Sequence, residues 1–404
     1  MRFLTLWQRL PLPFFVVTLG LSLAVVAIGL LAKGQPQVWQ QEAVLSRDRE
    51  LNFGYAVDID HDTAIVGVPY SPTGNHTIRT VYIYTRTGSL WSPPLQVSSE
   101  DRAFGRAVAI DGDTLLVGAD NAASISTRTL NGWSPPVQLT VPLGERAPLS
   151  FGKAVAIDGN TAVVGGVYAV CVFRHNPRSG NWVYEASLPA VDGPAVAISG
   201  DTLVVGGDRD GGGVYVFRRN TESGAWSQQA RLRPSRGTYG AFGHSVAIDG
   251  ETIVVGASGA WPDGAAFVFQ WDAETQSWQQ QARLVPQGAR SPLSVFRYLT
   301  GYYFGSSVAI DGEVVVVGTG TFTQPLTPHS NQSAAFIFER NGASGRWSQQ
   351  AILIPEDKPS YQMAVGVSQG SVIVGDIRGG NRINGSGLAY VFRQQEASAS
   401  PANR

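Results

Sequence analysis

Three aspartates in the first third of the chain are the residues best suited to hold a metal ion. Asp58, Asp60 and Asp62 alternate along the segment YAVDIDHDT. Ca²⁺ prefers oxygen ligands of this kind and takes roughly six to eight of them. A second acidic segment, with Asp208 and Asp210 in GGDRDGGG, is favoured as a flexible turn by its glycines. For Asp58, Asp60 and Asp62 we favour solvated hairpin carboxylates, and a calcium site is the alternative.

Residues that could serve a catalytic mechanism do not form a recognisable motif. The segment from Gly243 to Ala247 approaches a nucleophile elbow around Ser245, but it lacks the closing glycine. The five histidines show no metal-binding spacing. Cys171 is the single cysteine, which excludes an internal disulfide and favours a small buried side chain. The sequence therefore predicts no catalytic residue and no cofactor.

Two stretches of the chain carry an unusual concentration of aromatic and arginine side chains. The first, residues 286–303, contains Arg290, Phe296, Arg297, Tyr298, Tyr302 and Tyr303, and the second, residues 319–333, contains Phe322 and His329. Tyrosine and arginine are enriched at binding hot spots. We predict that these side chains contact a protein or glycan partner. Loops folded on their own aromatic side chains are the alternative.

Both stretches interrupt an internal repeat. Five units read FGYAVDIDHDTAIVG from Phe53, FGRAVAIDGDTLLVG from Phe104, FGKAVAIDGNTAVVG from Phe151, FGHSVAIDGETIVVG from Phe242 and FGSSVAIDGEVVVVG from Phe304. Two weaker units begin at Asp192 and Tyr361 without the leading Phe-Gly. Self-similarity at a period of about 50 residues indicates a solenoid, a propeller or an array.

Each unit has an all-β pattern of four strands. Asp-Gly between two apolar runs predicts a hairpin, an aromatic and β-branched run predicts a third strand, and a fourth begins with tryptophan. Six units carry that tryptophan strand, and the missing copy stands at the other end of the chain, as Trp39–Leu45. We therefore predict a seven-bladed β-propeller of four-stranded blades, closed by its N-terminal strand. In such a ring, residues 286–303 and 319–333 emerge side by side on one face, and residues 70–80 extend it.

The units resemble FG-GAP repeats, the blades of the propeller that heads integrin alpha chains, in the shorter form common in bacterial surface and secreted proteins. The resemblance implies an extracytoplasmic binding or adhesion module. Integrin-type blades often carry a calcium loop, D-x-D-x-D-G-x-x-D, between the first two strands. Here Thr63 replaces the turn glycine and Val66 the later acid. The kelch propeller has a similar period of about 50 residues but is disfavoured by the five Phe-Gly openings.

The first forty residues predict a membrane anchor. Arg2 and Arg9 precede an uncharged apolar run, Leu10 to Ala32, which is long enough to cross a bilayer as a helix at about 1.5 Å per residue. We predict a hydrophobic helix in residues 1–33, a linker at 34–38, the propeller at 39–393 and a polar tail at 394–404. The arginines place the N-terminus in the cytoplasm and the propeller outside it. Cleavage as a signal peptide, giving a secreted protein, is the alternative.

The composition argues against a nucleic-acid partner. The formal charge is −1 and charged residues make up 15% of the chain, which is not the basic excess that nucleic-acid binding needs. We therefore predict a non-enzymatic, monomeric module at the cell surface that binds a protein or glycan. The alternatives are a polysaccharide hydrolase or lyase with its site in the central funnel, and a structural scaffold of the cell envelope.

Overall fold

The computed structural model describes residues 37–47, 50, 52–70, 79–143, 145, 147–190, 195–207, 213–235, 240–260, 264–287, 303–320, 334–355, 363–377 and 387–396. These residues form thirty β-strands and no helix, and the strands assemble into seven antiparallel sheets. One compact unit spans Gln40–Arg393. A second unit comprises Met1–Trp39 and Gln394–Arg404, of which only the strand ends 37–39 and 394–396 are described.

Each sheet is one blade, and its strands follow chain order from the inside of the ring outwards, except that β1 is the outer strand of the last blade. The inner strands are β2 (Ala56–Asp60), β7 (Ala107–Asp111), β12 (Leu149–Asp158), β16 (Ala195–Ser199), β20 (Gly240–Asp249), β24 (Ser307–Asp311) and β28 (Met363–Ser368). The second strands are β3 (Thr63–Val68), β8 (Thr114–Ala119), β13 (Thr161–Val167), β17 (Thr202–Gly207), β21 (Thr252–Gly259), β25 (Val314–Gly318) and β29 (Ser371–Asp376).

The third strands are β4 (Arg79–Thr87), β9 (Ala122–Thr129), β14 (Ala169–Asn176), β18 (Gly213–Arg219), β22 (Ala265–Asp272), β26 (Ala335–Arg340) and β30 (Leu388–Glu396). The outer strands are β15 (Asn181–Pro189), β19 (Trp226–Leu232), β23 (Ser277–Leu284), β27 (Trp347–Leu353) and β1 (Gln37–Leu45). In the first two blades the outer strand is split in two, giving β5 (Leu90–Trp91) with β6 (Leu95–Ser99) and β10 (Gly132–Trp133) with β11 (Val137–Gln138). Pro-Pro interrupts both strands because proline offers no N–H for the ladder.

The seven inner strands form a closed ring. Each contacts the inner strand of the next blade, and β28 of the last blade contacts β2 of the first. The last blade is completed by β1, which pairs with β30 at its outer edge. The predicted seven-bladed propeller, closed by the N-terminal strand, is therefore confirmed.

The repeated phenylalanine packs between two blades. Phe104, which opens the second unit, is fully buried against Ile65, Val81 and Ile83 of the first blade. Phe53 packs in the same way against the last blade, in a cluster that includes Leu45 of β1. Burial of each phenylalanine side chain removes a large apolar surface from water. These side chains therefore stabilise the packing of neighbouring blades.

The glycine that follows this phenylalanine meets a second repeated glycine from the preceding blade. Gly105 has a φ of +89°, which favours glycine. Its carbonyl oxygen lies so close to Gly67 that a Cβ built on Gly67 would be 2.1 Å away. The same approach recurs for Gly118 against Gly152 and for Gly256 against Gly305. The glycine of Phe-Gly in the five intact units and the Val-Gly glycine of the preceding blade therefore serve one blade-to-blade contact.

The inner hairpins are linked by a second set of contacts that runs round the whole ring. An Asp or Ser at the end of each inner strand accepts a hydrogen bond from a backbone N–H in the hairpin of the next blade. The seven pairs, at 2.5 to 3.0 Å, are Asp60 with Gly112, Asp111 with Gly159, Asp158 with Gly200, Ser199 with Gly250, Asp249 with Gly312, Asp311 with Gln369 and Ser368 with His61. We call these pairs the hairpin clasps. Of the three aspartates considered for calcium, Asp60 forms a clasp, and each clasp gives a turn N–H an acceptor from the preceding blade.

A buried ion network ties the first blade to the N-terminal strand. The Arg86 guanidinium, in β4, lies 3.3 Å from Glu42 of β1, and both side chains are less than 10% exposed. The same guanidinium contacts Asp62 at 2.7 Å and donates to the Ser371 hydroxyl of the last blade at 3.2 Å. Charge pairing therefore reinforces the closure of the ring at the blade that the N-terminal strand completes.

Candidate functional site

The three aspartates considered for calcium point to three different partners. Asp58 accepts hydrogen bonds from the N–H groups of Ile59 and Ile110, at 2.9 and 3.0 Å. Asp60 forms a hairpin clasp and also contacts Nδ1 of His61, whereas Asp62 pairs with Arg86. In the described part of the chain, no three His, Cys, Asp or Glu side chains form a group that could hold a metal ion.

Asp58 stands where the sister units carry a small residue. Five inner strands have alanine at this position, and the last has Gly366. A Cβ built on Gly366 would lie 3.2 Å from a carboxylate oxygen of Asp58. The smallest residue found at this position of the repeat therefore faces the largest one. Burial raises the pKa of Asp58 to about 7, although N–H groups of Ile110 and Ile59 oppose the shift. Asp58 thus places an ionisable side chain where the other inner strands have alanine or glycine.

The residue after each Phe-Gly is the position of the repeat that varies most among the five intact units. It is Tyr55, Arg106, Lys153, His244 and Ser306 in turn. In each of these units the following residue pairs with the Val-Gly glycine of the second strand, so the variable residue lies at the same edge of every blade. These five residues mark one edge of the ring, which we call the loop face. The opposite edge, marked by the hairpin clasps, we call the clasp face.

In the first blade the loop face carries two aromatic side chains. Tyr55 precedes β2 and Tyr70 follows β3, and their rings meet edge to face with centroids 6.0 Å apart. Both remain accessible, with 37% and 46% of their surface exposed. The Tyr55 amide donates to the Asn52 carbonyl at 3.1 Å, which fixes the backbone that presents the ring.

In the second blade the corresponding segments carry an ion pair. Arg106 precedes β7 and contacts the carboxylate of Asp120, which follows β8. Arg102, whose side chain is 82% exposed, lies 3.4 Å from the same carboxylate. Burial and the neighbouring Tyr70 raise the pKa of Tyr55, while Arg106 lowers it and Asp120 raises it. Gly105, which precedes Arg106, packs against the second strand of the first blade, and a Cβ built on it would lie 3.2 Å from the Val68 amide nitrogen, two residues before Tyr70. The aromatic pair and the ion pair are therefore neighbours on the loop face.

Most of the residues predicted to bind a partner lie outside the described residues: Arg290, Phe296, Arg297, Tyr298, Tyr302, Phe322 and His329. Tyr303 is described and is 40% exposed. A Cβ built on Gly320 would lie 3.7 Å from the Cβ of Tyr303. The described flanks of the two insertions thus lie side by side on the loop face.

Two residues singled out as non-catalytic have structural contacts. Ser245 lies within β20, and its hydroxyl donates to the Gly305 carbonyl of the next blade at 2.9 Å. Cys171 is buried in β14, and burial raises the pKa of its thiol to about 11. A thiol with so high a pKa is a poor nucleophile near neutral pH. The loop-face position after Phe-Gly was not predicted from the sequence, although the aligned units display it as a variable residue between constant ones.

The segment that joins the fourth and fifth blades matches a known repeat. Residues 226–269 match the family model described as FG-GAP repeat. The chain contains an FG-GAP repeat. The matched segment includes Phe242, Gly243 and the Asp249 clasp, and the other blades repeat their geometry. Among curated proteins, no sequence matches this chain.

Solved structures resemble this seven-bladed propeller in fold. U3-55K is 14% identical, with a TM-score of 0.54 over 86% of this chain and 97% of that chain. The RRP9 WD40 repeats are 13% identical, with a TM-score of 0.56 over 89% and 100% of the two chains. A putative 6-phosphogluconolactonase from Bacteroides uniformis is 13% identical, with a TM-score of 0.52 over 74% and 85%. At these identities the likeness shows the propeller fold alone.

The predicted membrane anchor falls in residues 1–36, outside the described residues. The structure has, in the ranges it describes, no helix with the length and apolar character to span a membrane.

Proposed function

We propose that this FG-GAP propeller is a non-enzymatic, extracytoplasmic binding module, tethered by its N-terminal apolar segment, whose loop face contacts a protein or glycan at the cell surface. The main support for the proposal is the contrast between constant and variable positions of the repeat. Phe-Gly, Val-Gly and the clasp residues hold the blades together, whereas the residue after Phe-Gly changes its chemistry from blade to blade. A position at one exposed edge whose chemistry changes from unit to unit is typical of a binding surface on a repeat scaffold.

The chemistry of the loop face supports a recognition role. Tyr55, Arg106, Lys153 and His244 offer one aromatic and three nitrogen-bearing side chains, and Tyr55, Lys153 and His244 are exposed. Rigid aromatic side chains and arginine supply contact area and hydrogen bonds at small conformational cost. The predicted contact residues Arg290, Phe296, Arg297, Tyr298, Tyr302, Tyr303, Phe322 and His329 would extend this face, because the described flanks of their loops lie on it.

The test is the capture of cell-envelope material by the full chain and by a variant in which the loop face is neutralised. The variant carries Tyr55→Ser, Arg106→Ser, Lys153→Ser and His244→Ser, since Ser306 shows that serine fits this position. The matched control carries four serines at exposed hairpin tips of the clasp face, at Leu90, Leu130, Glu222 and Glu274. We expect the first variant to lose capture and the control to retain it. Equal capture by both would refute the proposed function.

Replacing Arg297, Tyr298 and Tyr302 together with alanine is the companion experiment. It is expected to weaken capture and to leave thermal stability nearly unchanged. Unaltered capture would remove these loops from the binding surface without touching the role of the residue after Phe-Gly.

A further inference from the structure

Tyr55, Tyr70, Arg102, Arg106 and Asp120 form a continuous surface on the first two blades, and we infer that it binds a pyranose ring of a polysaccharide. We call these five residues the Tyr55 surface. The inference rests on the proposed function and names the chemical class of the partner. It is carried by the position and accessibility of the five side chains and not by the loops outside the described residues.

The aromatic part of the Tyr55 surface suits the face of a sugar. A pyranose presents a patch of C–H groups that packs against an aromatic ring, and its hydroxyls stay at the rim. Tyr55 and Tyr70 leave 37% and 46% of their surface exposed, and their edge-to-face contact at 80° holds the two rings as walls of a corner. Each tyrosine hydroxyl adds a donor and an acceptor to that corner. A flat aliphatic partner would need no such polar rim.

The ionic part of the Tyr55 surface supplies what vicinal hydroxyls require. The Asp120 carboxylate accepts hydrogen bonds only, and the two guanidiniums donate only, so together they match the donors and acceptors of a sugar. Asp120 is already placed by Arg106 and Arg102, and its own side chain is 28% exposed. A group held in place by its neighbours loses little freedom on binding. Arg102, at 82% exposure, keeps most of its donors available.

The Tyr55 surface differs from the equivalent places in the other described blades. At the places of Tyr55 and Tyr70, the second blade has Arg106 and Asn121, the third has Lys153 and Tyr168, and the fifth has His244 and Gly259. Among the described residues, the first blade alone has an aromatic residue at both places. The ion pair of Arg106 with Asp120 lies beside it on the second blade. Adjacent complementary pairs make this the part of the loop face with the chemistry of a sugar site.

The experiment measures binding of the full chain to three immobilised probes: a neutral glucan, a polyuronate and an arginine- and acid-containing extended peptide. Tyr55→Ala and Tyr70→Ala are expected to weaken binding to a polysaccharide probe by about tenfold or more each, as loss of an aromatic anchor does. Tyr55→Phe keeps the ring and is expected to stay within about threefold of the unaltered protein. Leu130→Ala, on the clasp face, is the control for an exposed apolar side chain.

The two polysaccharide probes separate the sources of the pyranose. Preference for the polyuronate that disappears in Arg102→Gln would assign an acidic sugar, and equal binding of both would assign a neutral one; either supports the inference. Binding of the peptide probe alone, or polysaccharide binding unchanged in Tyr55→Ala and Tyr70→Ala, would overturn it. If those variants still capture envelope material while the four-serine variant does not, the proposed function stands and this inference falls.

Discussion

The carboxylate of Asp249 accepts a hydrogen bond of 2.6 Å from the backbone N–H of Gly312, which lies one blade further round the ring. Both residues belong to the Asp-Gly dipeptide that closes the inner hairpin of their own blade. The dipeptide therefore has two roles at once. Glycine accepts the positive φ of the turn, which is +54° at Gly312, and aspartate fastens that turn to the next one.

Removing one clasp is expected to cost little but measurable stability. Asp249→Ala leaves the Gly312 amide to water at an exposed site, so the free energy of unfolding should fall by about 0.5–1.5 kcal/mol. Asp249→Ser should recover most of the loss, because Ser199 and Ser368 form clasps in the native ring. Denaturant unfolding of the three proteins makes the comparison. A serine variant as unstable as the alanine variant would show that the hydrogen bond is not the cause.

The glycine contact between blades is expected to be far less tolerant. A Cβ on Gly118 would lie 2.1 Å from the Gly152 carbonyl oxygen, and backbone cannot move aside as a flexible side chain does. Gly118→Ala should therefore lower the free energy of unfolding by about 2 kcal/mol or more. Gly342→Ala is the control, since nothing lies within 4 Å of the added atom and the residue has no positive φ.

The measurement is a comparison of the melting temperatures of the two glycine variants. A small shift for Gly342→Ala beside a large one for Gly118→Ala supports the account. Similar shifts would mean that lost glycine flexibility, and not the blade contact, decides the effect.

Closing the ring is expected to depend on Glu42. Neutralising it in Glu42→Gln leaves the buried Arg86 guanidinium with Asp62 as its remaining charged partner. Breaking a buried pair on one side typically costs about 3–5 kcal/mol, and Asp62 brings the expected loss to the lower end. The Glu313 side chain, which pairs with Arg340, is 55% exposed. Glu313→Gln should therefore cost at most about 1 kcal/mol. Equal losses in chemical denaturation would mean that β1 is held by its backbone pairing alone.

Stability is expected to fall as pH rises from about 4 to 7, because of Asp58. Its pKa is about 7 in the folded protein against an ordinary value of 3.8. Between these values the folded chain keeps a proton that the unfolded chain has released, so raising the pH favours unfolding. Below this window the carboxyl is neutral in both states, and above it the penalty is constant.

Asp58→Ala restores the residue that five sister blades carry and tests that dependence. The variant should be more stable than the unaltered protein above pH 7, and its melting temperature should vary less between pH 4 and 7. Burial also raises the pKa of Asp111, so a smaller slope of the same sign should persist. An unchanged slope in Asp58→Ala would assign the pH dependence to other groups.

The fold was predictable because its signals are local and repeated. Asp-Gly between apolar runs, a tryptophan opening the fourth strand and one displaced copy at Trp39–Leu45 are enough to specify seven blades and their closure. The hairpin clasps were not predictable, since the turn alone explains Asp-Gly and the partner of Asp249 lies in another unit. Spacing along one blade gives no distance between neighbouring blades.

The candidate site was predicted only in part. The loop face follows from the order of strands in a blade, and residue types directed attention to the long insertions. The neighbourhood of Tyr55, Arg106 and Asp120 depends on how closely two blades stack, which the Gly67 and Gly105 contact sets. That distance is a property of the assembled ring and not of any single unit.

The most direct test of the account is to measure the melting temperature and the capture of envelope material on one preparation of the four-serine loop-face variant. Because constant repeat positions hold the ring together and the residue after Phe-Gly contacts the partner, we expect this variant to unfold close to the temperature of the unaltered protein and to lose capture. Retained capture, or a melting temperature lowered as far as in Gly118→Ala, would contradict it.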